Sequence, residues 1–233
     1  MIRILILLAL IAPCSAEAQY DKNPDPKPPT PKQVEPDGPR AAMVFAPTGV
    51  RDPVDLPRDK MIEVLSEIGK GDSKEAGHEL KKAVAAMQAA ADTSLGEAIR
   101  SNVLRSVTEL SSRAERMHSG EVVTADALTP MFSRGLQALA EHHAALAQNH
   151  LQHGDNLMAG EDLRAAVLDA DQALVWGNVK ATAEDTGRLN AAGRTAKNMI
   201  DQKTVDKVAA EKIIVDLQHW VQDLRTRLPK AGA

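Results

Sequence analysis

The sequence predicts an all-α protein, built as a helical bundle or short α-solenoid of about seven antiparallel helices. The first observation is composition: 43% of the 233 residues are hydrophobic but only 2% are aromatic. Alanine and aliphatic residues favour helices, whereas strands draw on β-branched and aromatic residues. The second is that apolar residues recur at three- and four-residue spacing from about Arg58 onward. The third is that glycine, proline and capping residues divide this region into segments of helical length.

The first eighteen residues predict a secretory signal peptide, residues 1–18. Arg3 supplies the positive charge, residues 4–12 form the apolar stretch, and Ala16-Glu17-Ala18 has the small-residue pattern of a cleavage site. The apolar stretch is too short to span a bilayer. We therefore expect cleavage that leaves Gln19 first, a periplasmic or secreted location, and no transmembrane span after cleavage.

The single cysteine, Cys14, lies within this segment. Ile11-Ala12-Pro13-Cys14 resembles a bacterial lipoprotein signal, so a lipid anchor at Cys14 is an alternative, although Pro13 stands where a small residue normally precedes the cysteine. Cleavage after Ala18 instead leaves no cysteine and no disulfide. Together with the lack of an N-x-S/T acceptor, this favours a bacterial envelope over a eukaryotic secreted protein.

Residues 19–57 predict a proline-rich disordered spacer. Ten of the thirteen prolines fall between Pro24 and Pro57, among charged residues and few apolar ones. Such a segment buries too little surface to offset its ordering entropy. It is interpreted either as a passive linker or as a tether that docks a partner.

Turn and capping signals divide residues 58–233, the predicted all-helical domain, into seven helices. The first three helices are divided by Gly69-Lys70-Gly71 with an Asp72–Glu75 capping box and by a Ser94–Glu97 capping box, and the third ends near Ser119-Gly120. The fourth helix is predicted to start at Thr129-Pro130, the fifth to run from Gly154-Asp155 to Trp176-Gly177-Asn178, and the last to start at Lys203-Thr204. Each helix has an apolar face opposite a charged face, which indicates surface helices around a shared core and not membrane helices.

The domain also predicts a two-copy internal repeat, with copies at about 58–139 and 140–228. Gly71-Asp72 is followed by Ala76-Gly77, Leu80 and Ala83-Val84, and the same pattern recurs 83 residues later from Gly154-Asp155. Two further blocks match in the same order at offsets of 82 and 81 residues. A repeated three-helix unit explains the matching order; the alternative is that amphipathic helices after a Gly-Asp turn simply look alike.

Two family resemblances follow from these residues. Leu146, Ala147, Gly154, Asp155, Ala159, Leu163 and Ala166 fall where a tetratricopeptide repeat keeps small and apolar residues. The stretch from His150-Leu151-Gln152-His153-Gly154-Asp155 to Leu163-Arg164-Ala165-Ala166 also resembles YfdX-type proteins, which are exported helical bacterial proteins linked to stress responses. Either resemblance implies a binding or chaperone-like role without chemistry.

Four histidines lie close together in the fourth predicted helix: His142, His143, His150 and His153. At 100° per residue they share an arc of about 100°. His150 and His153, one turn apart, form a candidate site for zinc, copper or nickel, with His142 and His143 further along the same face. The alternative is that His143 and His150 are partly buried core residues, because Leu139 and Leu146 fall in the same arc.

The remaining patterns exclude some functions and favour one. Nucleic acid is not expected as a partner, because the net charge is −4 and no basic stripe is present. No G-x-S-x-G elbow, phosphate-binding loop or mature cysteine nucleophile is found, so we predict no enzyme and no organic cofactor. The sequence therefore predicts an exported binding or scaffold protein for a protein or peptide partner, with Trp176 as a candidate partner anchor or a packing residue. A periplasmic metal-binding protein is the alternative.

Overall fold

The computed structural model describes residues 55–202 and 205–230, and this part of the chain forms seven α-helices and no strand. The helices are α1 (Leu56–Gly69), α2 (Ser73–Asp92), α3 (Glu97–His118), α4 (Ala125–Gln152), α5 (Asn156–Trp176), α6 (Ala183–Ile200) and α7 (Lys207–Arg227). The predicted all-α class and the count of seven helices are confirmed. The predicted signal peptide, Cys14 and nearly all of the predicted spacer lie outside the described residues.

The fourth helix is the centre of the bundle. α4 packs against α3, α5 and α7 and also touches α1 and α2. α3 runs antiparallel to it: Asn102 and Glu109 of α3 contact Glu141 and Arg134 of α4, in reversed order. Because it is covered on several sides, α4 is apolar over much of its circumference and buries large residues such as Phe132.

Side-chain caps fix where several helices begin. Asp72 accepts a hydrogen bond from the Glu75 amide before α2, which is one half of the predicted capping box. Asp155 accepts one from the Met158 amide before α5, at the predicted helix start. Before α6, Thr182 and Asp185 form a reciprocal capping box that the sequence analysis did not identify.

Three predicted boundaries were wrong. The domain starts before Arg58, because α1 begins at Leu56. Ser94 does not cap α3, because its hydroxyl donates to the Ala90 carbonyl. The residue before α3 is Gly96, which has a φ of 98°. α4 begins at Ala125, so Pro130 lies inside the helix and is not its first residue.

The Pro130 prediction used the preference of proline for the first helical position, where the amide has no intrahelical acceptor. Pro130 is instead the sixth residue of α4, past the first turn, so the proline removes one backbone hydrogen bond from the helix. The predicted start of the last helix at Lys203-Thr204 lies outside the described residues, and the described α7 is capped by Asp206.

Two glycines let helices approach closely at corresponding places. Gly77 of α2 lies against Met117 at the end of α3, where an added Cβ would come within 3.1 Å of the Met117 Cβ. Gly160 of α5 lies in the same way against Met199 of α6, with a corresponding distance of 2.8 Å. These two pairs are matched in the predicted repeat. The repeat itself stays a prediction.

No described helix combines the length and the apolar composition needed to cross a bilayer.

Candidate functional site

His142, the first of the four predicted metal ligands, is buried between α4 and the end of α2. Its Nδ1 lies 3.0 Å from the Ser94 hydroxyl oxygen. Because that hydroxyl donates its proton to the Ala90 carbonyl, His142 is the donor in this contact. Burial, and next the neighbouring His143, lower the pKa of His142 to about 3. The side chain is therefore a neutral packing group.

His143 faces two carboxylates of α5. Its Nδ1 lies 3.4 Å from Asp162 Oδ1, and its Nε2 lies 4.0 Å from Asp169 Oδ2. All three side chains are more than nine-tenths buried. His143 is thus an interior residue between two acids.

His150 and His153 do not share a site. His150 Nε2 lies 3.6 Å from Asp162 Oδ2, and its side chain is 28% exposed. His153 is exposed, and its Nδ1 lies 2.8 Å from the Asn149 carbonyl oxygen of its own helix. The structure therefore brings His143 and His150 to one carboxylate, Asp162, and places His142 and His153 elsewhere.

The Asp162 carboxylate is the least satisfied group in this region. Asp162 Oδ2 and His143 Nδ1 are both buried and make no hydrogen bond with the described part of the chain. A buried polar atom without a partner costs folding free energy, on the order of 1–3 kcal/mol. A pair of neighbouring side chains that each retain such an atom is a candidate functional site.

A second buried acid continues the polar cluster. Asp169 Oδ1 lies 3.2 Å from a guanidinium nitrogen of Arg58 in α1. Burial raises the pKa of Asp169 to about 6, although Arg58 and His143 work in the opposite direction. The carboxylate is consequently neutral in mild acid and charged at neutral pH.

Ion pairs link this cluster to the start of α1. Asp55 lies 2.7 Å from Arg58 and 2.8 Å from Arg164, and Arg164 lies 3.0 Å from Glu161. These contacts hold the first residues of the domain against α5. Asp55 belongs to the predicted spacer, so the spacer's last residues are part of the folded domain.

Sequence analysis missed the acidic half of this site. It found the histidines because they lie close together in the chain, but Asp162 and Asp169 come from another helix and Arg58 from a third. A signal was available: Asp169 directly follows the apolar run Ala165-Ala166-Val167-Leu168 and falls on the core-facing side of α5. An acid at such a position is expected only where a partner meets it.

One other group of potential ligands lies at the surface. Among the described residues, only Glu75, His78 and Glu79 form a group of three or more whose ligand atoms already lie within 4.8 Å of one another. Glu79 is engaged by Lys60 at 2.8 Å and by Lys82. Burial would raise its pKa, but these lysine contacts outweigh burial and lower it to about 2. This group is better explained as a surface ion-pair cluster than as a metal site.

Aliphatic side chains are exposed together at one end of the bundle. Leu157 and Met158 in the first turn of α5 are each 43% exposed, and Val208 in the first turn of α7 is 78% exposed. Lys207 donates to the Gln152 carbonyl at 3.2 Å, which places the start of α7 beside the turn between α4 and α5. We call Leu157, Met158 and Val208 the apolar end.

The two tryptophans both pack against the protein. Trp176, the predicted partner anchor, is half-buried, and its ring lies 5.5 Å from that of Phe132. Trp220 is buried, and its indole donates to Asp185 at 2.7 Å. Trp220 also lines a cleft of about 220 Å³ with Arg188, Asp216, His219 and Asp223. Neither indole is presented as a free surface anchor.

Comparison with known proteins identifies no relative: no family model, no curated protein and no solved structure matches the chain.

Proposed function

We propose that this chain is an exported, non-enzymatic helical protein that binds a protein or peptide partner in the bacterial envelope, in a chaperone-like or stress-related role. The observation that carries the proposal is the apolar end. Three large aliphatic side chains are exposed there, two at the start of α5 and one at the start of α7, and a hydrogen bond joins the start of α7 to the end of α4, next to the turn that leads into α5. Clustered exposed apolar residues are typical of protein interaction sites.

The chemistry of the apolar end suits a partner with an apolar segment. Methionine is flexible and polarisable, so Met158 can adapt to different apolar surfaces. The neighbouring helix starts are capped by Asp155 and Asp206, which leaves the exposed aliphatic groups on a rigid support. A rigid support lowers the entropy lost on binding.

The cellular location rests on the sequence. Residues 1–18 have the pattern of a secretory signal, and the resemblance to YfdX-type proteins runs through the α4–α5 turn and the start of α5, which carries Leu157 and Met158. Both features support an envelope protein that acts by binding.

The test compares partner capture by matched surface variants. Met158→Asp and Val208→Asp each place an acid in the first turn of a helix, where negative charge is tolerated or stabilising, so the fold is preserved. Val122→Asp is the control, because Val122 is 83% exposed in the loop before α4, outside the apolar end. The immobilised proteins are incubated with envelope extract, and the bound proteins are quantified by mass spectrometry.

The expected result is a partner retained by the wild type and by Val122→Asp and lost from both other variants. Equal capture by all four proteins would contradict a role for the apolar end. The absence of any partner enriched over blank resin would contradict the proposed function.

A further inference from the structure

The Asp162 carboxylate is buried, and no lysine or arginine of the described residues pairs with it. Its side chain is 6% exposed. Among the described residues, the only ionisable nitrogens within 4.0 Å of its oxygens belong to His143 and His150, one on each oxygen. A buried carboxylate is costly unless a positive charge or hydrogen bonds compensate it. At 3.4 and 3.6 Å, neither imidazole makes a hydrogen bond of normal length to this carboxylate.

The distances themselves are informative. The two nitrogen–oxygen separations are 3.4 and 3.6 Å. Hydrogen bonds between nitrogen and oxygen are normally about 2.7–3.2 Å. Two ligand atoms bound at about 2.0–2.1 Å to one tetrahedral ion are about 3.3 Å apart. The observed spacings are therefore closer to those of neighbouring metal ligands than to those of hydrogen-bonded groups.

We propose that His143, His150 and Asp162 bind one divalent transition-metal ion. His143 Nδ1 and His150 Nε2 supply the nitrogen ligands, and Asp162 supplies one or both oxygens. The two imidazoles must move toward each other to share the ion, because the three ligand atoms do not all lie within 4.8 Å of one another. The His150 side chain is 28% exposed and is the least enclosed of the three. Imidazole with carboxylate is a ligand set typical of zinc, copper, nickel and cobalt.

The surroundings of His143 fit a ligand role. A histidine that binds metal through one nitrogen ordinarily directs its other nitrogen at a carboxylate, which orients the ring. His143 Nε2 is directed at Asp169, 4.0 Å away, and Asp169 is in turn held by Arg58. Asp169 thus orients the His143 ring through Nε2, and Nδ1 faces Asp162.

Access to the site is through His150, whose side chain is the one partly exposed member of the three. The ligand set also differs from the one predicted from sequence. It keeps His143 and His150, adds Asp162 from α5, and leaves out His142 and His153. This proposal is independent of partner binding at the apolar end.

The test is metal binding by the purified full chain after treatment with a chelator. Zinc affinity and stoichiometry are measured by calorimetry at pH 7.5, and cobalt is used as a spectroscopic probe of nitrogen and oxygen coordination. The variants are Asp162→Asn, which keeps the side-chain volume, and His150→Gln at the half-buried position. The controls are His153→Gln, one turn along α4, and His78→Gln in the surface cluster.

We expect one zinc per chain in the wild type. Asp162→Asn and His150→Gln should weaken binding by at least about tenfold, the loss that even outer partners of a metal ligand cause. Both controls should bind like the wild type. No zinc uptake by the wild type, unchanged binding in His150→Gln, or loss of binding in His153→Gln or His78→Gln would overturn the proposal. The His150 side chain is partly exposed, so we expect His150→Gln to fold. This variant therefore still tests the proposal if Asp162→Asn fails to fold.

Discussion

Replacement of Gly160 by alanine should destabilise the protein, although alanine is the better helix former. Gly160 lies inside α5, where this change would by itself stabilise the helix by about 1 kcal/mol. An added Cβ would, however, come within 2.8 Å of the Met199 Cβ, 3.0 Å of the Ala196 carbonyl oxygen and 3.0 Å of Ile200 Cγ1. One of these atoms is backbone, so α6 itself must move. Overpacking of this kind costs about 1–3 kcal/mol and occasionally more.

We therefore expect Gly160→Ala to lower the free energy of unfolding by up to about 2 kcal/mol once the helix gain is subtracted. Gly187→Ala is the matched control, because Gly187 is exposed within α6 and an added Cβ meets nothing within 4 Å. The control should gain about 0.5–1 kcal/mol. The assay is urea unfolding followed by circular dichroism at the helix band. A Gly160→Ala protein as stable as the Gly187→Ala protein would refute the close packing of α5 on α6.

Three further predictions concern charge and processing. The pKa of Asp169 is about 6 in the folded protein and about 4 in the unfolded chain. Asp169 therefore contributes about 3 kcal/mol of stability that is fully present below pH 4 and is lost as the pH rises through 6. The low pKa of His142 makes stability depend on pH in the opposite direction. The measurement is therefore the difference in unfolding free energy between Asp169→Asn and the wild type, taken at pH 4 and at pH 7.5. A difference that is the same at both pH values would contradict the prediction for Asp169. Asp185→Asn should lower the free energy of unfolding by about 3 kcal/mol at pH 7, measured by urea unfolding. Hydrogen bonds from Arg227 and Trp220 outweigh burial and hold the pKa of Asp185 well below its usual range. A loss of less than about 1 kcal/mol would show that those bonds contribute little. Intact-mass analysis of the exported protein should show a chain that begins at Gln19, and a diacylated cysteine at the start would instead establish the lipoprotein alternative.

Local signals predicted the secondary structure well. The Gly-Asp turns before α2 and α5 were identified because an aspartate cap acts on amide groups two or three residues away. The boundary errors have a local cause too. Ser94 and the residues after it match the sequence pattern of a helix cap, but the Ser94 hydroxyl contacts the Ala90 carbonyl and His142 instead. His142 is 48 positions away in the sequence, so its contact with Ser94 could not be predicted from the residues of α2 and α3 alone.

The candidate site was predicted only in half, for a different reason. The four histidines lie in one predicted helix, so periodicity placed them on one face. Their partners come from α5, and Asp162 meets both His143 and His150 only because the α4–α5 hairpin is antiparallel. The ion pairs of Arg58 with Asp169 and of Asp55 with Arg164 span 111 and 109 residues. Contacts at such separations depend on helix packing that a single sequence does not specify.

Site-specific photo-crosslinking in the intact envelope tests the proposed function most directly. A photoreactive residue is placed at Met158 or Val208 of the apolar end, or at the exposed control position Thr108 on α3. We predict one protein partner crosslinked from positions 158 and 208, absent from position 108, and lost from position 208 when Met158→Asp is added. Crosslinks of equal yield from all three positions, or none from the apolar end, would contradict the account.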